Sequence, residues 1–479
     1  MELFGLLAVS FLVIAGGGRF YFYAAGLPLL IVISKNLRYN TQTIMVLLSL
    51  VFCIFIPIAV FPVDGNKIYS AVCFLLAVFI PFFFDSKKVI FCGVITGTIV
   101  AVLLALLEYT GIMESIWFVG DYEGIKRLQL GFDYPNTACA FLGSVFWIVG
   151  YNIKSKIKYI VYVFLILAMI LTLSRIGLAV FALSFSLYLL KRYRKRIIIL
   201  YSLLFTAGLM LVILGHTDKL IGSTLAVRII YWLDALKIIA SNPFGIGWGN
   251  YTRYLYLYQS ASYYVFNVHN SYIDMALNMG LFGAFILIVF FSICFYRCYK
   301  TDIYLFLSSF VILTHAFFDF DFMYPVVLLV LSTCMSICFD YRVIERIIQL
   351  RILSCLLIVF LIFVKSYNKC DVNYKESYFP FEDTNVEYLI RIEDKCKFFL
   401  EKGDWLGLRK NALKLIDEAP YAQVGYDYYA TSLDYLYKTT KDEKWLEERR
   451  EVNKIIEKRN LESNYFKKYW KRYVELKKV

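Results

Sequence analysis

Apolar and polar positions in this chain fall into long blocks. Apolar runs recur at roughly 4–15, 20–34, 44–60, 69–84, 89–107, 134–151, 159–173, 177–190, 198–215, 273–295, 303–315, 324–338 and 352–364. Most approach the roughly 17–25 residues that a helix needs to cross a bilayer. A membrane barrel would alternate along each strand, and an open sheet would leave backbone polar groups unpaired in lipid. The pattern therefore predicts an all-α integral membrane protein with about 12–13 transmembrane helices. The first pair is the least regular, because Gly16, Gly17, Gly18 and Arg19 divide one long stretch. Its first half either spans the membrane or lies along the interface.

The segments between the runs give the chain an orientation. DSKK (85–88), KSKIK (154–158), KRYRKR (191–196), YRCYK (296–300) and the cluster Arg342, Arg346 and Arg351 all fall on one side of a 13-span count, and basic loops of this kind read as cytoplasmic. Residues 108–133, the turn at Ser174 and Arg175, the loop 216–272, the turn 316–323 and everything beyond 365 then face outward. His216, His269, His315, Arg127, Arg175, Arg228 and Arg253 collect toward that outer side. An arginine there either snorkels to lipid headgroups or binds an anionic ligand, and the sequence leaves both readings open.

Composition agrees with the pattern and narrows the partners. Of 479 residues, 60% are apolar and 18% charged, and the mean hydropathy is +0.63. The net charge of +13 does not point to nucleic acid, since much of it sits in the orienting clusters. No basic leader or small-residue cleavage site precedes the first run, so it reads as retained membrane. Nine cysteines lie in or beside apolar runs without metal-ligand spacing. Cys370 and Cys396 lie in a polar region and would pair only in an oxidising compartment.

Candidate chemistry concentrates on the outer side. RIIYWLDALKIIA (228–240) reads as an amphipathic helix carrying Arg228, and SNPFGIGWGNY (241–251) ends it with a proline and three glycines. The Gly-x-Gly-x-Gly run has no preceding strand and is no nucleotide loop. The tyrosine-rich stretch that follows, with Arg253, fits an interfacial belt or a sugar-stacking wall. In HNSYIDMALNMG, His269 offers a base near neutral pH, with Asn270 and Tyr272 beside it to orient a substrate. HAFFDFDFMYP adds His315, Asp319 and Asp321; acids at i,i+2 do not share a helix face and fit a turn. No metal-ligand cluster is convincingly spaced here, and a single divalent ion held by Asp319 or Asp321 is left open by the residues.

Beyond 365 the chain changes character. Residues 366–385 read as a linker, and 386–479 as about four amphipathic helices forming an extracytoplasmic, tetratricopeptide-like helical domain, although no full 34-residue repeat is present. Residues 1–365 form the polytopic membrane domain.

Five segments in series resemble one known family: RLQLGFDYPNTACAFLG (127–143), TLSRIGLAVFALS (172–184), RIIYWLDALKIIASNPFGIGWGNY (228–251), HNSYIDMALNMGLFGA (269–284) and HAFFDFDFMYPVVLLVLS (315–332). In order and spacing they are similar to the superfamily of O-antigen ligases, O-antigen polymerases and protein O-oligosaccharyltransferases of bacterial membranes. The resemblance implies an inverting, metal-independent glycosyltransferase of the cytoplasmic (inner) membrane. Its donor would be an undecaprenyl diphosphate-linked glycan and its acceptor a hydroxyl of lipid A-core or of a protein. His269, Arg228 and Arg175 match the family's catalytic positions, with Arg127 as a further match, and Arg253, Asn270, Tyr272, His315 and Asp319 are expected to bind substrate. An acidic residue often found before the motif's first glycine is replaced here by Asn278. The external helical domain favours a ligase or protein-glycosylating enzyme over a polysaccharide polymerase. A transporter would need polar groups along a central path, whereas the polar residues here collect toward one side.

Overall fold

The computed structural model describes residues 2–15, 26–31, 37–60, 65–114, 117–122, 124–193, 221–260, 263, 265–344, 384–419 and 423–462. The expected spans at 198–215 and 352–364, most of 20–34, and His216, Arg346, Arg351 and Cys370 lie outside them. The remaining apolar runs coincide with helices: α1 (Glu2–Ile14), α2 (Thr41–Val60), α3 (Gly65–Phe83), α4 (Lys87–Tyr109), α5 (Pro135–Asn152), α6 (Ile157–Leu171), α7 (Arg175–Tyr193), α10 (Ser271–Thr301), α11 (Ile303–His315) and α12 (Pro325–Ser336). Between them, α8 (Ile221–Ser241) contains the expected amphipathic segment and α9 (Tyr251–Tyr258) the tyrosine-rich one. Among the described residues, three helices are long and apolar enough to cross a membrane, Thr41–Ile58 within α2, α4 and α10, and five shorter apolar helices accompany them. The described chain is thus a mainly helical integral membrane protein.

Helix boundaries follow local chemistry. Pro135 and Pro325 open α5 and α12, where a missing N–H costs no helical hydrogen bond. Asn270 caps α10 by accepting from the Tyr272 and Ile273 backbone N–H groups, and Asp302 caps α11 by accepting from those of Tyr304 and Leu305. The starts of α5, α7, α10 and α12 and the end of α11 meet at one end of the bundle, where Asn136 donates to Asp319, Ser271 to the Ala316 and Asp319 carbonyls, and Arg127 to the Thr172 carbonyl. At the other end, Lys191 sits over the Tyr299 ring and Arg297 over that of Phe339. The core between is continuous and apolar, with Trp147, Phe141, Phe322 and Trp248 fully buried.

Two short strand pairings, one a hairpin and one between distant segments, were not legible as apolar blocks. β2 (Val119–Tyr122) pairs antiparallel with β3 (Ile125–Leu128), and β1 (Leu37–Tyr39) with β4 (Arg342–Ile344). The β2–β3 hairpin carries Arg127 toward the N-terminal end of α5.

α10 is broken at Gly280, whose φ of 76° and ψ of 170° are non-helical. The loop after α8 docks into the break: Ile246 N donates to Leu277 O at 2.8 Å and Leu281 N to Pro243 O at 2.9 Å. A Cβ at Gly280 would lie 2.6 Å from the Phe244 carbonyl carbon, a backbone atom that cannot rotate away. Gly280→Ala is therefore expected to destabilise the protein by at least about 1–2 kcal/mol, read as a lower melting temperature in detergent. An unchanged melting temperature would contradict this packing.

Residues 384–462 form a second core. α13 (Thr384–Lys402), α14 (Trp405–Glu418), α15 (Gln423–Thr440) and α16 (Glu443–Glu462) pack each on the next around Leu408, Ala412, Leu415, Leu433 and Val452. Helix-hairpin stacking is all that links them to the expected tetratricopeptide-like character. Cys396 is a free thiol buried in this core. Leu257 of α9 packs against the same cluster and joins it to the membrane part.

Candidate active site

His269 sits at the junction between the loop and α10, with a φ of 54°. A non-glycine residue in the left-handed region costs on the order of 1 kcal/mol and persists only where its surroundings hold it. Here the Trp232 indole N–H of α8 donates to the His269 carbonyl at 3.2 Å, and the ring packs against Phe320 and Tyr231. Leu130, Asp133 and Leu173, in the neighbouring loops, also have positive φ.

Asp319, fully buried in the turn between α11 and α12, is the centre of the arrangement. Its Oδ1 lies 3.0 Å from His269 Nδ1. Its Oδ2 accepts from the Tyr134 hydroxyl at 3.0 Å, the Asn136 amide at 3.2 Å and Arg228 Nη2 at 3.4 Å. The turn is fixed from behind, since Ser271 N and Oγ both donate to the Asp319 carbonyl. Burial opposes ionisation of Asp319, but the His269 hydrogen bond and the Arg228 charge outweigh it and hold the carboxyl well below the usual carboxylate range. A depressed aspartate gives stability that is fully present above its ordinary value of about 3.9 and is lost only as pH falls through the lower folded value. Asp319 is thus a carboxylate at neutral pH. Burial, then the Asp319 charge, keep the Tyr134 phenol well above its ordinary value, so it remains a donor.

The tautomer of His269 follows from this. An ionised carboxylate only accepts, so Nδ1 carries the proton and donates to Asp319. In the neutral imidazole Nε2 then holds the lone pair, and it makes no hydrogen bond among the described residues. The His269 side chain is 21% exposed, against 1% for Asp319, so the imidazole is the part of the pair that reaches the surface.

The three arginines at this end of the bundle are held differently. Arg228 is buried; Nη1 donates to the Phe318 carbonyl and Nη2 to Asp319, so the group expected to face a ligand points into the protein. Arg127 is half-buried, donating from Nε to Thr172 O at 2.8 Å and from Nη2 to Asn136 Oδ1 at 3.1 Å. Arg175, the first residue of α7, is exposed and makes no hydrogen bond or ion pair among the described residues. Burial lowers the Arg127 pKa below its ordinary value, and the like charge of Arg175 adds to the effect. Two neighbouring guanidinium groups at a helix N-terminus make a site that a multiply charged anion would relieve.

Three residues expected to bind substrate do other work. Asn270 spends its amide on capping α10 and on the Phe317 carbonyl. The Tyr272 hydroxyl donates to Leu313 O at 2.8 Å. His315 is fully buried against Asp321, 2.6 Å away. In each case the polar group is held inside the packing of α10 and α11. Arg253 lies on α9, and its side chain is outside the described residues. Asp319 belongs to the site as the partner of His269, not as a surface ligand. The two acids of the turn face apart, Asp319 to His269 and Arg228, Asp321 to His315 and Thr137. Tyr134 and Asn136 were missed. Their signal was the Tyr-Pro-Asn sequence, in which proline marks a helix start at the outer end of α5.

Residues 160–288 match the model of a family described as O-antigen ligase. The match includes Arg175, Arg228 and His269; Arg127, Tyr134, Asn136 and Asp319 lie beyond it. No curated protein matches the chain.

Proposed function

The chain belongs to the O-antigen ligase superfamily, and from that premise we propose that it transfers a glycan from an undecaprenyl diphosphate carrier to an acceptor hydroxyl at the outer face of a bacterial cytoplasmic membrane. The observation that carries this reading is the His269–Asp319 pair, which engages Nδ1 and leaves Nε2 without a hydrogen bond among the described residues, at the same end of the bundle as Arg127 and Arg175.

His269 Nε2 takes the proton of the acceptor hydroxyl as its oxygen attacks the anomeric carbon. The bond from that carbon to the diphosphate oxygen breaks, and its electron pair leaves on the diphosphate. Attack opposite the leaving group inverts the anomeric centre. Asp319 stabilises the imidazolium as it forms, and Arg228, Tyr134 and Asn136 hold Asp319. Arg175, with Arg127, binds the diphosphate and offsets its growing charge. No step in this scheme requires a metal ion. The acceptor is a hydroxyl of lipid A-core or of a protein, and the adjoining C-terminal helices, joined through α9, are a surface on which such an acceptor would dock.

Donor kinetics test the phosphate assignment. A charge-assisted hydrogen bond is worth about 1.5–3 kcal/mol, so Arg175→Ala is expected to raise the donor KM by roughly 10- to 100-fold in purified protein. An unchanged donor KM would remove Arg175 from the binding site. Mass spectrometry of the same reactions names the acceptor; growth of carrier-linked chains would identify a polymerase instead.

A further inference from the structure

The turn that carries Asp319 also carries Asp321, and the two carboxylates are fastened to the same helix start. Tyr134 and Asn136 at the beginning of α5 hold Asp319, and Thr137, the next residue, donates to Asp321 Oδ1 at 2.8 Å. Asp321 Oδ2 is held by His315 Nδ1 at 2.6 Å from the last residue of α11. Thr137, His315 and Asp321 are all fully buried. His315 Nε2 has no hydrogen-bond partner among the described residues. A buried ionisable pair, one of whose atoms is unsatisfied, is an expensive way to hold a turn that apolar side chains would hold as well. What the pair adds is direction, because hydrogen bonds from α5 and α11 fix where Asp321, and with it Asp319, points.

We propose that the Thr137–Asp321–His315 triad is a positioning device that sets the orientation of Asp319, and through it the His269 base. This rests on the function proposed above. None of the three side chains reaches the surface, so they act only through Asp319. Displacing a catalytic group by about 1 Å costs up to roughly 100-fold in rate, and loosening one of two tethers should cost less.

The test compares Thr137→Val, which keeps the shape and loses the hydroxyl, with Thr137→Ser, which keeps the hydroxyl. Each is assayed as purified, monodisperse protein beside wild type and His269→Ala. The proposal expects kcat per folded molecule to fall ~10-fold in Thr137→Val, with the donor KM within twofold of wild type and with Thr137→Ser restoring most of the rate. A purely structural hydroxyl would lower the yield or melting temperature and leave kcat of the folded fraction unchanged, which would overturn the proposal. Equal losses in Val and Ser variants would also overturn it. If His269→Ala transfers glycan as wild type does, the site reading itself has failed; if His269→Ala is inactive while Thr137→Val is fully active, only the positioning role has. Should Thr137→Val not fold, His315→Gln, which retains a donor for Asp321, is expected to keep a greater fraction of kcat than His315→Leu, and equal rates would contradict the proposal.

Discussion

Asp319→Asn is expected to lose transfer activity by ~10²–10⁴-fold and to be less stable than wild type. The two effects have separate causes. An amide at 319 has a donor as well as an acceptor and can turn its NH₂ toward His269 Nδ1, 3.0 Å away in the wild type. The imidazole then carries its proton on Nε2, where it cannot accept one from an acceptor hydroxyl. Arg228 meanwhile loses the anion that compensates it in a buried setting. Removing one partner of a buried ion pair costs about 3–5 kcal/mol, read as a large fall in melting temperature. Replacing Arg228 as well, in Asp319→Asn/Arg228→Met, should recover part of the stability and none of the activity. A double variant that stays as unstable as the single one would argue against the pair.

The second large effect is on the base. His269→Ala should lower kcat by ~10²–10⁴-fold, with a donor KM close to that of wild type because Arg175 and Arg127 are untouched. Its stability should fall far less than that of Asp319→Asn, since Asp319 keeps Tyr134, Asn136 and Arg228. The side chain is also more exposed than that of Arg228, which meets the other oxygen of Asp319. Rates and melting temperatures of the two variants, measured on the same preparations, separate the catalytic role of the histidine from the structural role of the aspartate.

Much of the fold was legible because a bilayer imposes blocks on a sequence. The runs at 89–107, 134–151 and 303–315 correspond to Lys87–Tyr109, Pro135–Asn152 and Ile303–His315. The hairpin at 119–128 was not legible, because four-residue strands bearing Asp121, Lys126 and Arg127 carry no apolar signal. The break at Gly280 was hidden as well. A glycine inside an apolar run reads as a tolerated helix residue until the Phe244 backbone is seen against it.

The candidate site was legible as a set of residue types at one end of the bundle, and much less as a set of roles. His269 and the arginines stood out because charge is rare in an apolar chain. That Arg228 would point inward while Arg175 stays exposed depends on packing between α8 and the 316–323 turn, which no local pattern encodes. Likewise, acids at i,i+2 in a turn point apart, but whether Asp319 or Asp321 meets the histidine of the surface is decided by which one faces α8 and the start of α10. His315 resembled a second surface histidine and is instead completely buried.

In the mechanism proposed here, His269, oriented by Asp319, drives transfer of a lipid diphosphate-linked glycan. Its most direct test is mass spectrometry of the acceptor after incubation with an undecaprenyl diphosphate-linked, isotopically labelled glycan, using purified wild type, His269→Ala and Asp319→Asn in nanodiscs. Label is expected on the acceptor with wild type, through an inverted linkage, and essentially none with either variant in the same time. Label transferred by His269→Ala as fast as by wild type would contradict it.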